Sequence, residues 1–223
     1  MSVRFSIFTL LLLFVVSAYA APALKTDRQK YSYGIGVQVA HSLKRDGIDV
    51  DLPAMQQAIA DVMSDTKLRL SDEEMRQAFA HLQEQKKQEL AVMAGKNQKA
   101  GNEFQAKNKK QAGVKVLPDG VQYKVIKAGT GKTPTVNDRV TVHYRGKLIN
   151  GEEFDSSYSR GEPATFPVNG VIKGWQEVLP MMKEGGHWQV VIPPELAYGD
   201  RGAGAKIGPN ATLVFDIELL KVL

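Results

Sequence analysis

The sequence predicts an α+β protein: an all-α dimerisation region, a long connecting helix, and then an antiparallel β-sheet wrapped on one short helix. Three observations carry that prediction. Before residue 112, apolar residues recur at three- and four-residue spacing. After residue 113, short β-rich runs alternate with Gly- and Pro-containing turns. Only one helical stretch, Trp175-Gln176-Glu177-Val178-Leu179, interrupts those runs, and Pro180 stops it. With 223 residues, 43% hydrophobic and 24% charged, the chain has an ordinary soluble composition and room for one large or two small domains. It has no cysteine, which excludes disulfides, thiolate nucleophiles and Cys-ligated zinc.

Residues 1–20 read as a signal peptide. Arg4 supplies the positive start, residues 5–16 a short apolar run, and Ala18-Tyr19-Ala20 a small-x-small cleavage site. The alternative is an uncleaved anchor, but that run falls short of the about 20 residues a bilayer needs. Cleavage after Ala20 leaves no integral membrane segment. It places the mature protein outside the cytoplasm, with the periplasm of a Gram-negative bacterium as the first expectation and the outer surface or secretion as the others.

Residues 21–70 carry two short helical stripes, Tyr33, Val37, Ala40 and Leu43, then Met55, Ile59, Val62 and Met63. Asp51, ahead of Pro53, is the expected cap of the second. Residues 71–112 form the connecting helix, opened by Ser71 as N-cap and Glu74 at the capping-box position. Its apolar stripe, Met75, Phe79, Leu82, Leu90 and Met93, fades after Ala94 into Lys, Gln, Asn and Ala, with Gly95 and Gly101 among them. The helix is therefore expected to be packed at its N-terminal end and solvated at its C-terminal end, as a stalk. Short regions with apolar stripes bury little surface alone, so residues 26–93 are expected to form a homodimer through the N-terminal helices. Packing against the C-terminal domain of the same chain is the other solution.

The net charge of +5 resides between residues 86 and 115, where eight lysines face two acids. That run lacks arginine and has only Phe104 as an aromatic, so it offers neither bidentate base contacts nor a stacking platform for nucleic acid. It reads as the solvated face of a helix. Residues 113–223 hold the β-rich runs 121–126, 139–148, 187–192 and 212–220. Asn150-Gly151 marks a tight turn after the second of them.

Conventional catalytic constellations are missing from this sequence. His41, His81, His143 and His187 have no metal-site spacing. Ser156 and Ser157 lack a nucleophile elbow and read as a turn after Asp155. The glycine-rich residues 199–208 lack phosphate-loop spacing and precede a strand, so no helix N-terminus awaits a phosphate. What remains is a set of aromatic and aliphatic residues beside turns: Tyr144, Phe154, Phe166, Val171, Ile172, Trp175, Tyr198, Ile207 and Phe215. Any one of them taken alone reads better as core.

Their segments occur in a telling order: Val142-His143-Tyr144-Arg145-Gly146, Gly151-Glu152-Glu153-Phe154-Asp155-Ser156-Ser157, Val171-Ile172-Lys173-Gly174-Trp175, Pro193-Pro194-Glu195-Leu196-Ala197-Tyr198-Gly199, and Ala211-Thr212-Leu213-Val214-Phe215-Asp216-Ile217-Glu218-Leu219. Together they closely resemble the FK506-binding type of peptidyl-prolyl cis/trans isomerase across residues 113–223. Upstream, Tyr31-Ser32-Tyr33-Gly34-Ile35-Gly36, a second short helix and a long polar helix resemble the macrophage infectivity potentiator group. The resemblance implies a dimeric isomerase that takes unfolded or proline-containing client proteins and FK506- or rapamycin-type inhibitors, with no cofactor and no metal. It places Trp175 on the floor of a pocket walled by Tyr144, Phe154, Val171 and Phe215, with Ile207 as a further substrate-binding residue. Catalytic roles fall on Asp155, held by Tyr144 and Arg160, on the hydroxyl of Tyr198, and on the backbone N–H of Ile172. Ala164 and Ala203 depart from the family pattern at the rim, which bears on substrate preference.

Such chemistry agrees with the missing triads. Rotating an X-Pro amide costs about 18–20 kcal/mol because resonance is lost, and no covalent bond breaks. A site need only bind the twisted amide better than the planar one. A dry apolar pocket does so, since the twisted amide has less charge separation. A proline-binding chaperone with little catalysis is the alternative, and the polar groups Asp155, Tyr198 and Ile172 N–H separate the two.

Overall fold

The computed structural model describes residues 23–223, and the predicted leader lies outside them. The chain divides into two units, 1–44 and 45–223. The first holds nearly all of helix α1 (Asp27–Arg45), which has no buried residue. Helix α2 (Leu52–Met63) begins where the Asp51 carboxylate accepts from Ala54 N–H at 2.8 Å. The 37-residue helix α3 (Asp72–Asn108) opens on the expected capping box. Ser71 Oγ accepts from Glu74 N–H at 3.3 Å, and the Glu74 carboxylate accepts from Ser71 N–H at 2.8 Å.

Seven strands follow: β1 (Val114–Val116), β2 (Gln122–Lys127), β3 (Arg139–Leu148), β4 (Glu153–Ser156), β5 (Ala164–Pro167), β6 (His187–Ile192) and β7 (Leu213–Val222). All pair antiparallel in the order β1-β2-β6-β7-β3-β4, with β5 also on β3. Strand β3 changes partner along its length. Residues 139–142 pair with β5, whereas Arg145, Gly146 and Lys147 pair with β4. The β3–β4 connection is the predicted turn, with Gly151 at φ +88° and its N–H bonded to Leu148 O at 2.9 Å.

Period-two alternation decides which face is covered. On β3, Val140, Val142 and Tyr144 are buried; on β7, Leu213, Phe215, Ile217 and Leu219 are. Helix α5 (Lys173–Val178) contributes Trp175 and Val178 to the same core, joined by Leu179. Two expectations need correction. A second short helix exists, α4 (Ser157–Arg160), where a plain turn was expected; Ser156 caps it through its hydroxyl.

The second correction concerns the C-terminal end of α3, expected to be solvated. The N-terminal half of the helix is open, with Phe79 64% exposed, while its polar C-terminal half docks on the sheet. Asn97 Nδ2 donates to Pro209 O (2.7 Å), Gln105 Nε2 to Thr212 Oγ1 (3.1 Å), and buried Asn108 Nδ2 to Gln122 Oε1 (2.9 Å). Hydropathy missed this because the joint is made by amide hydrogen bonds rather than hydrocarbon. Gly101 serves close approach: a Cβ there would overlap the Thr212 hydroxyl.

Candidate active site

Strand β3, the β4–α4 corner and α5 surround a cavity of about 300 Å³. Its lining includes Tyr144, Phe154, Asp155, Val171, Ile172, Trp175, Tyr198 and Phe215, eight of the nine residues singled out in the sequence. Ile207 stands apart. It is 7% exposed, belongs to the core cluster, and is not among the residues that line the cavity. Phe166, named among the aromatics but given no pocket role, does line the cavity, as does Gly170. Phe166 follows the Ala164 departure by two positions on β5, so strand alternation puts both side chains on one face; that period was the available signal.

The cavity floor is an aromatic cluster. Trp175 is 3% exposed and meets Tyr144, Phe215 and Phe166 edge-on, at centroid distances of 5.4, 5.4 and 6.2 Å. Phe154 meets Phe215 at 5.6 Å in the same T-shaped manner. Edge-to-face contacts are worth about 0.5–1.5 kcal/mol each beyond area burial, so the floor is stiff. Trp175 Nε1 has no hydrogen-bond partner among the described residues, so the indole behaves as an apolar surface. The helix end beside it is fixed by Gln176 Nε2, which donates to Val171 O at 2.7 Å.

The rim is polar. The Tyr144 hydroxyl donates to Asp155 Oδ2, Arg160 Nη1 donates to Asp155 Oδ1 at 2.5 Å, and Arg160 Nη2 reaches the Tyr144 oxygen at 2.9 Å. Burial opposes ionisation of Asp155, but the Tyr144 and Arg160 hydrogen bonds outweigh it and hold the carboxyl below its usual range. Burial, reinforced by the Asp155 charge, pushes the hydroxyls of Tyr144 and Tyr198 up. At neutral pH the site therefore holds one carboxylate and two neutral phenols. Helix α4 makes this cluster possible: fully buried Ser157 accepts from Tyr144 N–H at 2.8 Å, which clamps the turn bearing Arg160 against β3.

Residues 130–220 match the FKBP-type peptidyl-prolyl cis-trans isomerase family, and residues 28–125 match the domain amino terminal to FKBP-type peptidyl-prolyl isomerase. The chain belongs to the FKBP-type peptidyl-prolyl cis-trans isomerases. It is 43% identical over 215 residues to the peptidyl-prolyl cis-trans isomerase Mip of Coxiella burnetii, covering 95% of this chain and 94% of that protein. The outer membrane protein MIP of Legionella longbeachae is 42% identical, with 93% and 91% covered. The crystal structure of FkpA from Escherichia coli aligns with a TM-score of 0.62 at 40% identity, covering 90% of this chain and 98% of that one. This FKBP-type chain is thus an isomerase with an α+β fold, and no helix among its described residues is long and apolar enough to cross a membrane.

Proposed function

We propose that the Trp175 cavity is where this isomerase turns X-Pro bonds, with the proline ring on the indole and Tyr144, Phe154, Val171 and Phe215 as walls. The carrying observation is the ionised Asp155, fixed by Tyr144 and Arg160 at the mouth of an otherwise apolar cavity. A clamp for proline segments needs the walls only. A preorganised charge beside them acts on a bond whose dipole changes as it twists. The Tyr198 hydroxyl and Ile172 N–H hold the flanking carbonyls while the rotating carbonyl moves past Asp155.

The domain division proposed is a helical dimerisation region over residues 21–70, the connecting helix over 71–112 and the isomerase over 113–223. Support for dimerisation comes from helices that leave apolar side chains uncovered: Tyr31, Tyr33 and Ile35 on α1, and Ile59, Val62 and Met63 on α2. Two linked isomerase domains suit unfolded, proline-containing clients and give a chaperone role. FK506- and rapamycin-type molecules would occupy the same cavity. The leader at residues 1–20 supports export to the periplasm or beyond.

The test is turnover of an X-Pro peptide by Asp155→Ala and Tyr198→Phe. Each is expected to lower kcat/KM by about tenfold or more, the size of a lost hydrogen bond to a charged or reacting group. Full turnover in both, with a native circular dichroism spectrum, would remove these residues from the mechanism.

A further inference from the structure

The loop over residues 199–210 is held at both ends and in the middle. It leaves the cavity wall at Tyr198 and closes on itself where Asn210 N–H donates to Gly199 O at 2.8 Å. Within it, Ala203 and Ile207 exchange both backbone hydrogen bonds, at 2.8 and 3.1 Å. Ile207 is packed into the core, and Lys206 Nζ stands 3.5 Å from the backbone oxygen of Phe154, a wall residue of the cavity. These contacts bind the loop to the pocket.

Its far side rests on α3. Asn97 donates through Nδ2 to Pro209 O, and only the amide nitrogen of that side chain has a proton to give a carbonyl. One turn earlier, Met93 lies against Gly208, where a Cβ would stand 2.7 Å from its sulfur. Around this contact a second cavity of about 320 Å³ separates helix, loop and the β3–β4 turn, lined by Met93, Asn97, Leu148, Lys206, Gly208 and Thr212 among others. The loop therefore edges a gap there, and the Asn97 hydrogen bond, beside the Met93 contact with Gly208, is what ties its backbone to the helix.

We propose that Asn97 is a positioning residue of the isomerase: from the connecting helix it fixes the 199–210 loop and so sets the shape of the pocket wall at Tyr198 and Phe154, and with it the preference for the residue before proline. The inference rests on the proposed reading of that cavity as the substrate site. Gln105 supplies the control. Its bond to Thr212 joins the same helix to the same domain, but at the start of β7 and outside the loop.

The experiment uses the full chain with Asn97→Ala, Asn97→Asp, Gln105→Ala and Asp155→Ala on X-Pro peptides differing only in the residue before proline. Asn97→Asp keeps the side-chain shape but sets a carboxylate against a carbonyl. Both Asn97 variants are expected to lower kcat/KM about three- to tenfold, the effect of one lost hydrogen bond. They should also change the ratio between peptides and speed hydrogen exchange at the Ala203 and Ile207 amides. Gln105→Ala should lower Tm similarly yet leave the ratio and the loop exchange unchanged. If Asn97→Ala behaves as Gln105→Ala does while Asp155→Ala is impaired, the tether is overturned and the pocket stands. Full turnover by Asp155→Ala would overturn the pocket reading and the tether with it.

Discussion

Gly146 lies directly across from Phe215 in the β3–β7 ladder, and a Cβ on it would stand 2.6 Å from the Phe154 ring and 2.8 Å from that of Phe215. The T-shaped pair that walls the cavity exists because β3 has no side chain at this register. Gly146→Ala is expected to drive one ring into the cavity, destabilising the fold by about 1–3 kcal/mol as overpacking does. Peptide turnover should fall more than stability accounts for. Urea midpoints and kcat/KM measured together check this, and an unchanged kcat/KM would mean the rings have room to yield.

Glu177 on α5 faces Asp119, and the hydrogen bond they share, with burial and the Asp119 charge, pushes its carboxyl up to about 7. A folded-state value above the ordinary 4.5 means the native protein holds a proton that the unfolded chain releases. Its contribution to stability is complete below pH about 4.5 and is lost as pH rises through about 7. Glu177→Gln should flatten that part of a stability-versus-pH curve and raise Tm near pH 8. Identical slopes for both proteins between pH 5 and 7 would count against the shared proton.

A fragment spanning residues 113–223 retains the sheet and all the cavity residues, but it loses the Asn97, Gln105 and Asn108 bonds and uncovers Gln122 and Thr212. It is expected to fold as a monomer and to isomerise peptides, with less stability than a fragment spanning residues 93–223. The difference should be about 2 kcal/mol, given about 1 kcal/mol for each net hydrogen bond and some fraying of the short helix. Equal denaturation midpoints would show that the helix end contributes nothing.

A short peptide needs one cavity, whereas a folding chain can engage both cavities of the proposed dimer. The second encounter then occurs at raised local concentration. Full-length protein should therefore exceed the 93–223 fragment, per active site, in a proline-limited refolding reaction, while matching it on peptides, since that fragment keeps the Asn97 bond. The comparison uses one slow-folding protein and one peptide. The same ratio on both substrates would leave the N-terminal helices as spacers.

The long strands, both helix caps, the Asn150-Gly151 turn and eight of the ten residues that line the cavity could be read from the sequence, because alternation, capping and motif order are local signals. Strands β1 and β5 were not, being three and four residues long and determined by pairing to β2 and β3 rather than by their own composition. Ile207 lies in the core cluster and not in the cavity lining. Its loop folds back through the Ala203 pairing, a contact that no periodicity announces. The docking of the C-terminal end of α3 is invisible to hydropathy, which weighs hydrocarbon, so asparagine and glutamine look solvated on that scale wherever their amides point.

That polar docking has a mechanical meaning. Parting the end of α3 from the sheet at Asn97, Gln105 and Asn108 would bare amides, which water receives nearly as well as the protein does. A greasy joint would resist parting and turn sticky once parted. One built of amides can release and reseat without leaving an adhesive face behind.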